Sequence, residues 1–494
     1  MKNKIQKISM LEKIGYSLGD GSANLVFQMM MMFQLMFYTD VFGIKASIAG
    51  GILLLARLFD AFIDPIVGIW SDRTNTRWGK YRPWILWTAI PFAVFFVLSF
   101  STPDLGERGK IIYAGVTYTL LMAVYSFNNT PYSSLGGVMT SDIKERTSIS
   151  SVRFVTATIA TFVVQGLTLP LVAKFGNGND SKGWFITILI FALVGVILML
   201  ITFISTRERI TPPPAQKTPI VQDIKDIFSN TPWKAMFVLT LFLFTTLAMW
   251  GSSMSYYFNY VLDKHALFSF LQNLGLVEVE GGNWWHAVLQ AFGLIAKTDL
   301  SNVFAVGFSF FNILGSIIQL IGVILLSSFL SGIYGKRNVF IVCLALTALF
   351  MGLFFLPAPT SIGTVFILNT LKSLAYAPTV PLLWAMMGDV ADHSEWRNHR
   401  RATGFVFAGI VFALKAGLGV GGAICGVIID HFGFVANQTQ TPTAIDGIRL
   451  SSSIIPAITL AISFVALCFY PITKKLNENI QAELSIRRKE TSNE

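Results

Sequence analysis

The run Ile48–Trp70, IAGGILLLARLFDAFIDPIVGIW, is long and apolar enough to cross a bilayer, yet it holds Arg57, Asp60 and Asp64. One charge at bilayer depth costs at least about 2.5 to 3.5 kcal/mol on insertion scales, so such groups face a polar cavity and mark an ion or substrate path. Positions i, i+3 and i+7 share one face of a helix, which places the three groups on a single inward stripe. The pattern reads as a carboxylate pair with a basic neighbour. Two carboxylates that close repel each other, and a proton, a metal cation or a basic side chain relieves the repulsion.

The rest of the chain has the same solvent preference. Of its 494 residues, 53% are hydrophobic and 13% charged, with mean hydropathy +0.61, whereas soluble domains carry about 25% charged residues. It is read as a polytopic membrane protein. The net charge of +10 does not point to nucleic acid, because the basic residues cluster in short segments between apolar runs and no basic face separates from a hydrophobic span. Cys343, Cys425 and Cys468 lie in apolar runs without metal-like spacing and read as free packing thiols. Met1–Met10 is polar and basic, with no signal-peptide core.

A window of about 20 residues gives twelve spans, at 14–42, 46–71, 83–100, 110–137, 150–174, 183–206, 234–261, 303–330, 338–357, 361–388, 402–429 and 449–473. The predicted class is therefore an all-α membrane protein. The loops holding Arg73, Arg77, Lys80 and Arg82; Lys144 and Arg146; Arg207, Arg209, Lys217 and Lys225; Lys336 and Arg337; and Arg397, Arg400 and Arg401 fall on one side, which predicts that both termini are cytoplasmic. The linker 207–233, with Pro212, Pro213 and Pro214, divides six helices (1–206) from six more (234–494). A second long segment, 262–302, contains Trp284, Trp285 and His286. It can form an amphipathic external helix capping an entrance, or a loop without transport chemistry.

Four runs carry a family resemblance: Gly15–Asp20 (GYSLGD), Arg57–Pro65 (RLFDAFIDP), Asp72–Trp84 (DRTNTRWGKYRPW) and Gly388–Trp396 (GDVADHSEW). Together, in this order, they resemble the glycoside/pentoside/hexuronide:cation symporters, the melibiose permease-like branch of the major facilitator superfamily. The resemblance implies a twelve-helix fold of two six-helix halves, no enzymatic activity and sugar uptake driven by a cation gradient in the cell inner membrane. It implies cation binding by Asp60 and Asp64, with Ser126 as a further ligand. Asp20 and Arg153 match residues that contact sugar hydroxyls, and Lys415 matches a lysine close to both sites. Arg57 is then the expected counter-ion of the carboxylates.

Departures from the family pattern bear on specificity. Asn129 stands for an acidic residue before Pro131, and Ser133 for a tryptophan that stacks on a galactosyl ring, so a galactoside pocket is not implied. Ile63 replaces an asparagine of the sodium site. Sodium prefers several oxygen donors and a proton needs one carboxylate, so the coupling ion is expected to be a proton rather than sodium. Lys372, midway along the tenth span, has no family counterpart. It reads either as a group that snorkels or pairs with a carboxylate, or as a ligand for the carboxylate of a uronide.

Tyr125, Tyr132, Tyr256, Tyr257, Tyr376 and Trp384 can line a sugar path or pack in the core, and Gly417, Gly419, Gly421, Gly422 and Gly426 suit close helix approach. Arg77 in the basic loop, with Asp389, Asp392 and Glu395 in the second half, can form ion pairs that lock one conformation, or can serve only to set topology. The five histidines read as surface residues. The expected partners are a small-molecule sugar and membrane lipid around a monomer, with no cofactor beyond the coupling ion. The alternative is a lipid or lysolipid carrier of the same fold. A membrane enzyme is disfavoured, since no metal motif, phosphate loop or nucleophile arrangement occurs.

Overall fold

The computed structural model describes residues 8–140, 142–210, 228–279, 281, 283–398 and 403–493. Pro212, Pro213, Pro214, Lys217, Lys225, His399, Arg400 and Arg401, which carry part of the expected linker and topology, lie outside the described residues, as does the side chain of Lys144. In the first half, α1 runs Met10–Met32 and continues through Gln34–Met36 into a π-turn, Phe37–Val41. It is followed by α2 (Ala46–Arg73), α3 (Arg82–Ser99), α4 (Glu107–Met139), α5 (Ile143–Gly176) and α6 (Asp180–Ser205). The second half has α7 (Thr231–Tyr256, then a π-turn, Tyr257–Val261), α8 (Val303–Gly322, a π-turn, Val323–Ser327, and Ser328–Tyr334) and α9 (Lys336–Leu353). It ends with α10 (Ile362–Tyr376 and Thr379–Asn398), α11 (Thr403–His431) and α12 (Pro442–Ser452 and Ile454–Cys468).

Nine helical stretches among the described residues are long and apolar enough to cross a membrane on those grounds alone. The other three rods are α1, α2 and α10, and each is weakened for a reason. Glu12, Lys13 and Asp20 lie in α1, and the three charged groups of the opening run lie in α2. Pro378 splits α10, where Thr379 Oγ1 donates instead to the Tyr376 carbonyl at 2.6 Å. Large apolar side chains such as Leu55, Ile90, Leu193 and Ile324 are exposed on the outside of the bundle, as lipid contact requires.

Helix α11 forms the main seam. Its glycines lie on two faces: Gly417 and Gly421 meet the α7 backbone at Leu241 and Thr245, while Gly419, Gly422 and Gly426 meet α2. A Cβ at Gly50 of α2 would come within 2.9 Å of the Ala423 Cα. This close approach seals the halves at one end. Ser47 donates to Asp430 at 2.5 Å, Tyr260 to Asp40 at 2.7 Å and Ser316 to Gln165 at 2.7 Å. Thr39 and Tyr256, in or beside the matching π-turns of α1 and α7, share a hydrogen bond of 2.7 Å.

The expected single external helix is instead two short ones, Lys264–Asn273 and Trp284–Ala291. Asp263 and Asn283 cap them by accepting from the Ala266 and His286 amides. The second reaches the first half, where Lys174 of α5 donates to the Ala291 carbonyl at 2.6 Å. At the opposite end Glu208 accepts from the amides of Lys80, Tyr81 and Arg82 at 2.8, 2.7 and 3.0 Å. A C-terminal helix, Lys474–Asn493, not foreseen in the spans, packs along the second part of α10. The limits of several rods also move: α10 runs ten residues past its expected end, and α12 begins at Pro442.

Candidate cation and substrate site

The carboxylates of α2 meet groups from both halves. Asp60 is fully buried, and a quarter of the Asp64 side chain is exposed. Lys415 of α11 reaches across the seam, with Nζ 2.8 Å from Asp60 Oδ2 and 2.5 Å from Asp64 Oδ2. From α4, Ser126 Oγ contacts Asp60 Oδ1, lies 2.6 Å from Asp64 Oδ1 and is 3.4 Å from Lys415 Nζ. Thr130, one turn further along α4, donates to Asp64 at 3.3 Å. Ser126 has one hydroxyl proton and faces two carboxylates, so it can donate to only one of them. The other contact is a hydrogen bond only when that carboxyl carries a proton itself.

Arg57 makes no ion pair with Asp60 or Asp64 among the described residues. Gly419 of α11 crosses α2 against the Arg57 stem, and the guanidinium turns to α1, 5.6 Å from the Phe27 ring centroid. Lys415, one turn earlier on α11, takes the place expected for Arg57. In the first half, Arg153 of α5 pairs with Asp20 of α1 at 3.2 Å. Its guanidinium lies 5.7 and 5.2 Å from the ring centroids of Tyr16 and Tyr132. Those rings stack at 4.7 Å, and each hydroxyl donates to the other residue's carbonyl. The aromatic pair thus fixes the arginine by cation–π contact.

Asp20, Asn24 and Gln28 form an i, i+4, i+8 stripe on α1, leading into a cavity of about 430 Å³ between the halves. Gln28, Thr161 and Gln165 line it from the first half, and Trp250, Gln319 and Lys372 from the second. The cavity begins one turn beyond Asp20 and Lys415, at Asn24 and Leu418, and directly after Arg153, at Phe154, on the sealed side. Lys372 has no carboxylate partner among the described residues; its Nζ lies over Trp250, 4.3 Å from the ring centroid.

Other sequence candidates fall outside this arrangement. Tyr125 packs between Phe27 and Phe92, and Trp384 is 44% exposed, away from the cavity walls. Asn129 is half-buried beside Thr130 without a hydrogen bond among the described residues, whereas its neighbour Asn128 donates to Thr88 at 2.7 Å. Of the residues suggested for a lock between halves, three have described partners within their own half. Asp389 pairs with Lys336 at 2.7 Å, Asp392 accepts from Gln481 of the C-terminal helix, and Arg77 stacks over Trp78. His393, expected at the surface, is buried beside Trp396. Thr130, Gln28, Gln165 and Gln319 escaped the sequence reading, although the α1 stripe of polar residues at fourth positions was a usable signal for Gln28.

Two six-helix halves with charged clusters and a cavity at their seam define a multi-pass membrane transporter. A family model described as MFS/sugar transport protein matches residues 15–282 and 298–474, and the chain belongs to that family. It is 34% identical over 486 residues to the inner membrane symporter YicJ of Escherichia coli (strain K12), covering 98% of this chain and 96% of that one. It is 32% identical over 467 residues to an isoprimeverose transporter of Lactiplantibacillus pentosus, covering 94% and 89%. Among solved structures, the nucleoside transporter NupG shares the fold with a TM-score of 0.62, 14% identity and coverage of 93% of this chain and 100% of that one. The chain is a transporter, not an enzyme.

Proposed function

We propose that this protein imports a glycoside, pentoside or hexuronide across the inner membrane by symport with a proton, with both termini in the cytoplasm. The observation that carries the proposal is the cluster in which Lys415 of one half pairs with both Asp60 and Asp64 of the other. In the empty carrier, the ammonium occupies the place of the coupling cation. A proton or sodium that neutralises the carboxylates frees Lys415 and loosens the link between the halves. Sugar bound by Asp20, Arg153 and the cavity amides then accompanies the rocking of one half on the other. Proton coupling is supported by the unequal count at Ser126, one donor proton for two carboxylates. Ile63, beside the cluster, adds no oxygen for a metal ion.

The relatives named as a symporter and as an isoprimeverose transporter support the sugar class, and the first supports inner-membrane placement. The cavity walls combine apolar side chains with the amides of Gln28, Gln165 and Gln319 and the hydroxyls of Thr161 and Ser316; a polyhydroxylated cargo uses those polar groups, and the acyl chains of the lipid-carrier alternative do not. With the basic loops inside, the seal between the halves is external, and the described state faces inward. The test is uptake of labelled glycosides, pentosides and uronides by proteoliposomes under imposed proton or sodium gradients. Equilibration without accumulation under both gradients would remove the symport reading.

A further inference from the structure

Lys372 is the one Asp, Glu, Lys, Arg or His side chain among the cavity-lining residues. Around it the walls offer amides, hydroxyls and aromatic faces but no carboxylate. Its described contact is with the face of Trp250, which holds an ammonium in position without neutralising it. The side chain of Gln319, also in the lining, makes no hydrogen bond among the described residues. Asp20, one turn from the lining residue Asn24 on α1, is already engaged by Arg153, and Asp60 and Asp64 of α2 are engaged by Lys415. A lone cation deep in a membrane protein is costly unless an anion joins it, and the cavity leaves space for that anion to arrive with the cargo.

From this charge imbalance we infer that the transported molecule is an anionic sugar derivative, whose carboxylate is bound by Lys372 while its hydroxyls meet the amides of Gln28, Gln165 and Gln319. The inference rests on the sugar-transport reading and narrows it. Lys372 would give specificity, because a charge-assisted hydrogen bond forms with the acid and has no equivalent in the neutral sugar. Trp250 then fixes the ammonium in place. Coupling remains with Asp60, Asp64 and Lys415, so cargo charge and coupling charge are handled on separate residues.

The test compares matched pairs differing only in the acid group: methyl β-glucoside with methyl β-glucuronide, and methyl β-galactoside with methyl β-galacturonide. Competitive binding and gradient-driven accumulation are measured for the full-length carrier in proteoliposomes. The expected result is a preference for the acidic member of the productive pair of at least about tenfold, the size set by one charge-assisted hydrogen bond. Lys372→Gln should collapse that ratio, and Lys372→Arg should keep most of it. A wild-type carrier that takes the neutral member as well as the acid overturns the inference, whatever the variants do. So does a Lys372→Gln carrier that keeps the preference. In either case, accumulation of the neutral sugar leaves symport standing. Failure of every probe to bind or accumulate overturns the sugar reading and this inference together.

Discussion

Replacing Lys415 by Gln tests the idea that the carrier holds its own substitute cation. The wild-type ammonium lies 2.8 Å from Asp60 and 2.5 Å from Asp64, with only 12% of its side chain exposed. Removing one partner of a buried ion pair costs about 3 to 5 kcal/mol, because the remaining charge is left without compensation. Asp64 is a quarter exposed, and water there screens part of the loss, so the lower figure of about 3 kcal/mol applies. At 1.36 kcal/mol per decade, this corresponds to about a hundredfold. An external cation no longer competes with Lys415, so the cation concentration for half-maximal sugar binding should fall by up to that factor. Release should slow for the same reason, and net uptake should drop while exchange of internal for external sugar persists. The assay is cation-titrated sugar binding in proteoliposomes, with exchange and net flux measured in parallel. A half-saturation unchanged or raised in Lys415→Gln would show that the lysine does not occupy the cation's place.

Three further outcomes follow from the geometry. Asp64→Asn should abolish concentrative uptake while sparing exchange, and normal accumulation by this variant would remove Asp64 from coupling. Gly426→Val places a Cβ 3.0 Å from the Ala46 carbonyl carbon and should cost about 1 to 3 kcal/mol in the sealed state. Maleimide labelling of an introduced Ser47→Cys from the external side should then rise; unchanged labelling would mean that this crossing does not hold the seal. Glu208→Ala removes the acceptor of three backbone amides and should destabilise the basic loop by about 2 to 3 kcal/mol, since bonds to a charged acceptor are the stronger kind. A thermal-unfolding midpoint equal to wild type would contradict this.

Much of the architecture was legible because a bilayer restricts a chain to helices and closed barrels, and the apolar runs locate the helices. Charged runs were harder. α1, α2 and α10 carry or adjoin the functional groups and for that reason depart from the apolar rule. The Asp60 and Asp64 spacing was readable as one helical face, and the family resemblance placed Lys415 close by, but the local sequence pointed to Arg57 as the partner. Arg57 is near in sequence, whereas Lys415 is near in space only because α11, with Gly419 at the crossing, packs directly on α2. The same distinction separates Arg77 from Asp389: each finds a partner in its own half, through stacking on Trp78 or pairing with Lys336. Thr130 and the cavity amides were missed because an uncharged polar residue in a span is not rare enough to stand out without its neighbours. The C-terminal helix was missed because its composition is that of a solvated tail, and its contacts are with α10 rather than lipid.

The most direct test of the central claim is accumulation of a labelled sugar by proteoliposomes, measured with an inward proton gradient, with an inward sodium gradient and with neither. Proton symport gives uptake above equilibrium under the proton gradient, its collapse when a protonophore removes that gradient, and loss of accumulation in Asp60→Asn and Asp64→Asn. Accumulation that survives the protonophore and follows sodium would contradict proton coupling. Uptake that only equilibrates under every gradient would contradict symport itself.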